Sequence, residues 1–220
     1  MKNLYNALLL KQLYQLKNIG YNYTDSKKFS YQEKNQIALS DSISKLKKQA
    51  LNCQLCALSK NRKNTVFGEG SERAKILIIG DIPLKIEDEK GEIALGNSGE
   101  MLTAMIEKVL KIPRKEVYIT NLLKCHPSQN QQAQETEFHT CKAYLFKEIA
   151  LIQPKIIITL GETAYHYLTS DNTPLQEIRG VAIKKEHYHI IPTYHPNFLL
   201  KNPSFKKEVF QDLKVVNGLL

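Results

Sequence analysis

Apolar positions recur along this chain on two periods. Lys75-Ile76-Leu77-Ile78-Ile79-Gly80, Val117-Tyr118-Ile119-Thr120 and Ile156-Ile157-Ile158-Thr159-Leu160-Gly161 are short, nearly unbroken apolar runs. Runs of this length predict strands buried on both faces, as in a parallel sheet. Val181–Lys185 and His189–Pro192 predict the two arms of a β-turn region, the second arm being a fourth core strand. The intervening segments carry apolar residues at helical spacing. One helix is predicted near 98–111, with Met101, Leu102, Met105, Ile106, Val109 and Leu110 on one face and Asn97 or Ser98 as N-cap. Others are predicted over about 133–151, from Glu162 onward, and over Phe205–Leu219. Upstream, a helix from Asp41 runs through Ile43, Leu46 and Ala50, and residues 1–18 show helical spacing at Leu4, Leu8 and Tyr14. Residues 19–39 are polar and irregular, the composition of a linker.

Strand and helix in alternation predict an α/β fold: a three-layer αβα domain over 41–220 with a central four-stranded parallel sheet. Residues 1–40 form an N-terminal helical extension and linker in this reading. Ligands of such sheets bind in the loops beyond the carboxyl ends of the strands. Three long polar segments fall there, Asp81–Asn97, Asn121–Asn130 and Tyr194–Lys201.

Composition narrows the partners. The 220 residues carry a formal charge of +9 and a pI near 9.2, an imbalance that steers a protein toward nucleic acid or another anionic surface. A background simply rich in lysine leaves the same trace. No run approaches the roughly 20 apolar residues that span a bilayer. The initial Ala7-Leu8-Leu9-Leu10 is cut by Lys11 and lacks a cleavage site, so it reads as an amphipathic helix. The expectation is a cytoplasmic protein with no membrane partner, in which cysteines serve as metal ligands rather than disulfides.

The chain has four cysteines, Cys53, Cys56, Cys125 and Cys141. The Cys-x-x-Cys pair can grip a metal from one turn, and the two distant cysteines can complete a four-thiolate site. Zinc and an iron–sulfur cluster both suit such ligands.

From about Leu51 to Leu213 the sequence resembles the family 4 uracil-DNA glycosylases. The resemblance rests on Cys53-x-x-Cys56, Thr65-Val66-Phe67-Gly68-Glu69-Gly70, Thr120-Asn121-Leu122-Leu123-Lys124-Cys125-His126-Pro127 and Thr193-Tyr194-His195-Pro196-Asn197-Phe198-Leu199-Leu200. It implies a DNA-repair enzyme that hydrolyses the N-glycosidic bond of uracil, or of another deaminated base, and a [4Fe–4S] cluster on the four cysteines rather than zinc. A glycosylase must extrude its base, read the Watson–Crick edge and stabilise the charge released when the bond breaks. By resemblance, Asn121 reads the base and His195 donates to the leaving uracil. Asp81, with Glu87, positions water, and Gly80, Ala94 and Asn130 line the pocket. Phe198, Leu199 and Leu200 form an apolar wedge for the duplex, with Lys201 near a phosphate. Taken singly, an Asn after a strand is more often a turn former, a His in a turn is often a surface residue, and residues 198–200 equally suit a helix packed inward.

Two departures from the family pattern stand out. Its Gly-Glu-Ala-Pro-Gly is here Gly80-Asp81-Ile82-Pro83-Leu84, and its base-stacking phenylalanine is replaced by Ala94. Base stacking on an aromatic is worth roughly 1–3 kcal/mol. These changes motivate an alternative, a catalytically impaired iron–sulfur protein of the same fold that binds DNA. Residues 1–40 lie outside the resemblance and offer a surface for a protein partner.

Overall fold

Side-chain alternation along four strands divides the core into two layers. In the computed structural model, which describes residues 39–128, 132–185 and 187–220, Leu77, Ile79, Tyr118, Ile157 and Ile190 face one cluster. Ile76, Ile78, Ile119, Ile156, Ile158 and Ile191 face the other. Successive residues of a strand point to opposite faces, so runs apolar at every position must be covered twice. The predicted helix and linker of residues 1–38 lie outside the described residues.

The elements follow in chain order. Helix α1 (Ile43–Leu51), begun by Ser42 accepting from the Lys45 amide, and the turn-length α2 (Leu58–Asn61) precede the sheet. Strands β1 (Glu69–Gly70) and β2 (Ile76–Gly80) lead to α3 (Lys85–Lys90) and α4 (Gly96–Ala104). The chain continues through a π-turn segment (Met105–Leu110) to β3 (Tyr118–Asn121) and the long α5 (Glu135–Ile152). Then come β4 (Ile156–Leu160), α6 (Glu162–Thr169), α7 (Leu175–Ile178), β5 (Ile183–Lys184) and β6 (His189–Thr193). Helices α8 (Pro196–Lys201) and α9 (Lys206–Asn217) close the fold. The strand order is β1-β3-β2-β4-β6-β5.

The four parallel strands β3-β2-β4-β6 are those the apolar runs predict. The sheet has six strands rather than four, because two-residue strands pair antiparallel at its edges, β1 on β3 and β5 on β6. β5 is the short paired part of the arm expected at Val181–Lys185, β1 is too short to carry a readable period, and together they cover the open edges of the parallel core. Helices α1, α5 and α6 supply the first layer through residues such as Leu46, Leu145 and Ala164, and α4 and α9 supply the second through Leu102 and Leu213.

Three local expectations change. The segment 81–97 contains α3, a helix too short for a sequence period. Helix α4 starts at Gly96 with Leu95 as N-cap, not Asn97 or Ser98. The segment 194–201 is mostly helix α8, with Pro196 at its first position, where the missing amide costs nothing.

Candidate active site

Strand ends β2, β3, β4 and β6 bring the chemistry together. Gly80 closes β2 and pairs in register with Asn121, the last residue of β3. The loops beyond are stitched to each other, Leu122 N–H donating to Gly80 O at 2.9 Å and Leu123 N–H to Asp81 O at 3.1 Å. On the other side, Gly161 N–H donates to Thr193 O at 2.8 Å, two residues before His195.

Asn121 and His195 share one pocket, lined also by Gly80, Leu84, Ala94 and Ser98. Glycine at position 80 is a steric requirement. A Cβ there would collide with Asn121 Oδ1 and would stand 3.8 Å from His195 Nε2. The amide oxygen and the imidazole nitrogen therefore crowd over the same bare stretch of backbone.

His195 is the N-cap of α8, and its Nδ1 accepts from the Asn197 amide at 3.1 Å. An Nδ1 that accepts carries no proton, so the neutral ring carries its proton on Nε2. Burial pushes the imidazole down to about 4, because the charged form is poorly solvated there. The ring is thus a neutral N–H donor aimed into the pocket.

Asp81 sits just beyond β2. Its carboxylate is pushed up to about 7, chiefly by burial, against which a hydrogen bond from the Ala164 backbone acts. Oδ1 is buried and has no hydrogen-bond partner among the described residues. The side chain also approaches Gly161, where a Cβ would lie 3.5 Å from Asp81 Oδ2 and 3.6 Å from His195 Cβ. Gly161 has φ +90°, which a side chain would strain.

Glu87 is 4% exposed, not a solvated surface carboxylate. Its Oε2 accepts from Leu84 N–H at 2.7 Å and its Oε1 from Leu95 N–H at 3.3 Å. Both oxygens are thereby engaged in holding the rims of the pocket. Asp88 does similar work outside, accepting from the amides of Lys63 and Asn64. Ala94 lines the pocket with φ 55°, and no aromatic ring replaces the missing phenylalanine among the described lining residues. Asn130 lies outside the described residues.

The predicted wedge divides. Leu199 is 1% exposed and belongs to the core, because α8 turns it inward. Phe198 stacks on Tyr194 with ring centroids 4.8 Å apart. Only Leu200, 40% exposed, stands free at the surface. Alongside runs a cleft of about 920 Å³, lined by Asp81, Pro83, His126, Tyr167, His195 and Asn197 among others. His126 Nδ1 lies 2.6 Å from Pro83 O. A carbonyl oxygen only accepts, so Nδ1 donates, and the first loop is tied to the cysteine loop.

The four cysteines line a second, apolar pocket with Ala50, Leu55, Arg62, Lys124 and Tyr144. Arg62 Nη1 donates to Cys125 Sγ at 3.1 Å, while Nη2 donates to Leu51 O at 3.0 Å and Cys53 O at 2.8 Å. The Tyr144 hydroxyl bonds to Cys53. Donors directed at sulfur suit thiolate ligands. Burial pushes the Cys141 thiol up to about 12 and raises that of Cys125, so removing those protons calls for a cation to compensate. Among the described residues no three His, Cys, Asp or Glu side chains are gathered closely enough to hold a single ion.

The sequence does not single out Arg62 or Glu148, offers Ser98 only as an N-cap, and holds Lys124 only as a motif position. Arg62, six residues beyond Cys56, and Lys124, beside Cys125, had a signal in their proximity to cysteines. Glu148 had none, and the burial of Ser98 and Glu148 appears only in three dimensions.

Residues 67–214 match the family model described as Uracil DNA glycosylase superfamily. The chain is 36% identical to the type-4 uracil-DNA glycosylase of Sulfurisphaera tokodaii, over 81% of this chain and 85% of that protein. It is 37% identical to the one from Saccharolobus solfataricus, over 82% and 87%, and 31% identical to that of Archaeoglobus fulgidus, over 81% and 94%. The chain belongs to the type-4 uracil-DNA glycosylase family of that superfamily. No helix among the described residues is long and apolar enough to cross a membrane.

Proposed function

We propose that this protein excises uracil from DNA by hydrolysing its N-glycosidic bond. The observation that carries the reading is the convergence of Asn121 Oδ1 and His195 Nε2 over Gly80, with the Asp81 carboxylate adjacent.

Each group has a defined task. Asn121 offers both an acceptor and a donor, the pair needed to meet the N3–H and O4 edge of an extruded uracil. As the glycosidic bond breaks, negative charge collects on the uracil carbonyls. His195 Nε2–H, neutral and preorganised by its N-cap bond, donates to that developing charge and stays neutral at working pH. Asp81, with an unpaired Oδ1, orients the attacking water once ionised. Glu87 supports that step by holding the amides of Leu84 and Leu95 in place.

Cys53, Cys56, Cys125 and Cys141 fit a [4Fe–4S] cluster. One apolar pocket is lined by all four cysteines, with Arg62 donating to Cys125 and Tyr144 bonding to Cys53, a donor set that suits thiolate ligands. When bound, such a cluster supplies iron–thiolate bonds that cross-link distant parts of the chain. The nucleic-acid partner would lie along the cleft beside Asp81 and His195, with the exposed Leu200 of the same helix α8 as the residue left to act as a wedge.

The test uses cluster-loaded protein on uracil-containing single- and double-stranded oligonucleotides. Abasic sites should accumulate with time, and His195→Ala combined with Asn121→Ala should abolish them. DNA binding without turnover would overturn the reading in favour of a binding protein of this fold.

A further inference from the structure

Between the two pockets lies a buried ion pair to which the proposed chemistry assigns no task, although Lys124 itself lines the cysteine pocket. Lys124 is 2% exposed and Glu148 0%. The Lys124 ammonium has three N–H groups, and the structure gives it three acceptors: Glu148 Oε2, Thr120 Oγ1 at 2.6 Å and the backbone carbonyl of Asn121 at 2.8 Å. Glu148 is equally occupied. Its Oε1 accepts from the Tyr118 hydroxyl at 3.0 Å, and its carboxylate accepts from Thr120 Oγ1.

A buried pair of this kind is a poor stabiliser, since desolvating both charges commonly cancels their attraction, and apolar replacements are often neutral or better. What the pair does provide is geometry, because a fully satisfied polar network has one arrangement. Here that arrangement fixes the carbonyl of the residue whose side chain faces the base. The Lys124 backbone reaches the other way, hydrogen-bonding to Cys141, while its own carbonyl accepts from Val66 N–H at 2.8 Å. One residue thus grips Asn121 with its side chain and the cysteine site with its main chain.

We infer that Lys124, clamped by Glu148, is a positioning residue that holds Asn121 in its base-reading orientation and couples that orientation to the cysteine site. The inference rests on the uracil-excising reading above. Misplacing a reacting group by about 1 Å can cost on the order of a hundredfold in rate, so the effect should fall on kcat.

The experiment replaces the pair as a unit. Lys124→Met with Glu148→Gln removes both charges at similar volume, and visible iron–sulfur absorbance with thermal unfolding reports whether fold and cluster survive. With both retained, kcat on uracil DNA should drop about 10- to 100-fold, with KM and affinity for an abasic duplex unchanged. Lys124→Arg should restore part of the loss. In an Asn121→Ala background the same replacement should cost almost nothing further, because Lys124 acts through Asn121. An undiminished kcat, or a loss of equal size in the Asn121→Ala background, overturns the inference while wild-type turnover still upholds the glycosylase reading. If the pair replacement fails to fold, Lys124→Arg and Lys124→Gln are compared in the same two backgrounds, and the same absence of non-additivity overturns it. A wild-type protein that releases no uracil removes both conclusions together.

Discussion

Asp81 and His195 are both partly withdrawn from water, and the consequences are opposite in sign. For Asp81 burial lifts the carboxylate to about 7, so between its ordinary value and about 7 the folded state binds a proton that the unfolded state has released. Stability therefore falls as pH rises through that window. Asp81→Asn should raise the melting temperature at pH 8, have little effect near pH 4, and abolish excision, a trade measurable by thermal scans beside the oligonucleotide assay. For His195 the folded value drops to about 4, so the unfolded state takes up its proton first and stability declines as pH falls from about 6.5 to about 4. The two together predict that kcat/KM climbs with a single midpoint near 7, with no descending limb from imidazole ionisation in the physiological range. A profile flat between pH 6 and 8 would remove Asp81 from the water-orienting role.

At the scale of elements, short helices decide what the site presents. Helix α8 makes a cap of His195, a core residue of Leu199 and a surface residue of Leu200. Leu200→Ala should leave thermal stability within about 0.5 kcal/mol, as surface substitutions do, and should weaken action on duplex DNA more than on single strands, in side-by-side kinetics. Equal effects on both substrates would deny it a wedge role. The β2–β3 register predicts a different failure. Gly80→Ala drives a methyl group into Asn121 Oδ1, so the amide must rotate away; excision should fall at least tenfold while the circular dichroism spectrum stays native. The pocket's aliphatic lining around Ala94 also predicts weaker base stacking, and Ala94→Phe should lower KM, by up to about tenfold if the ring regains roughly 1–1.5 kcal/mol of the stacking term.

Across the whole domain, the αβα layers bring four strand ends together, and residues from α1, the loop after β3 and α5 line the cysteine pocket on one side of the sheet. Cys53 and Cys56 follow α1, Cys125 lies in the loop beyond β3, and Cys141 lies on α5. Substituting Cys125 by Ala should abolish visible iron–sulfur absorbance and lower the melting temperature, since the proposed cluster would link segments far apart in sequence. Retention of the full absorbance would place the metal elsewhere. Such a variant should also lose excision, because Cys125 follows Lys124, which reaches Asn121.

Much of this arrangement was legible in one dimension for a physical reason. Strands buried on both faces must be apolar at every position, so β2, β3, β4 and β6 announce themselves, and a parallel sheet directs attention to its carboxyl strand ends, where Asp81, Asn121 and His195 lie. The four cysteines could be picked out in the sequence as one candidate set, and the fold lines a single pocket with all of them. Tertiary structure alone decided the rest. A two-residue edge strand and six-residue helices carry no period, so β1, α3 and α8 appear only when neighbours provide their partners, whereas β5 falls within the arm expected at Val181–Lys185. Whether Glu87 is solvated or Leu199 exposed depends on what packs above them. The pairing of Lys124 with Glu148, 24 residues away, exists only because β3 and α5 lie against each other. Sequence fixes which groups are available, and only packing determines which of them lose water, meet and keep one orientation.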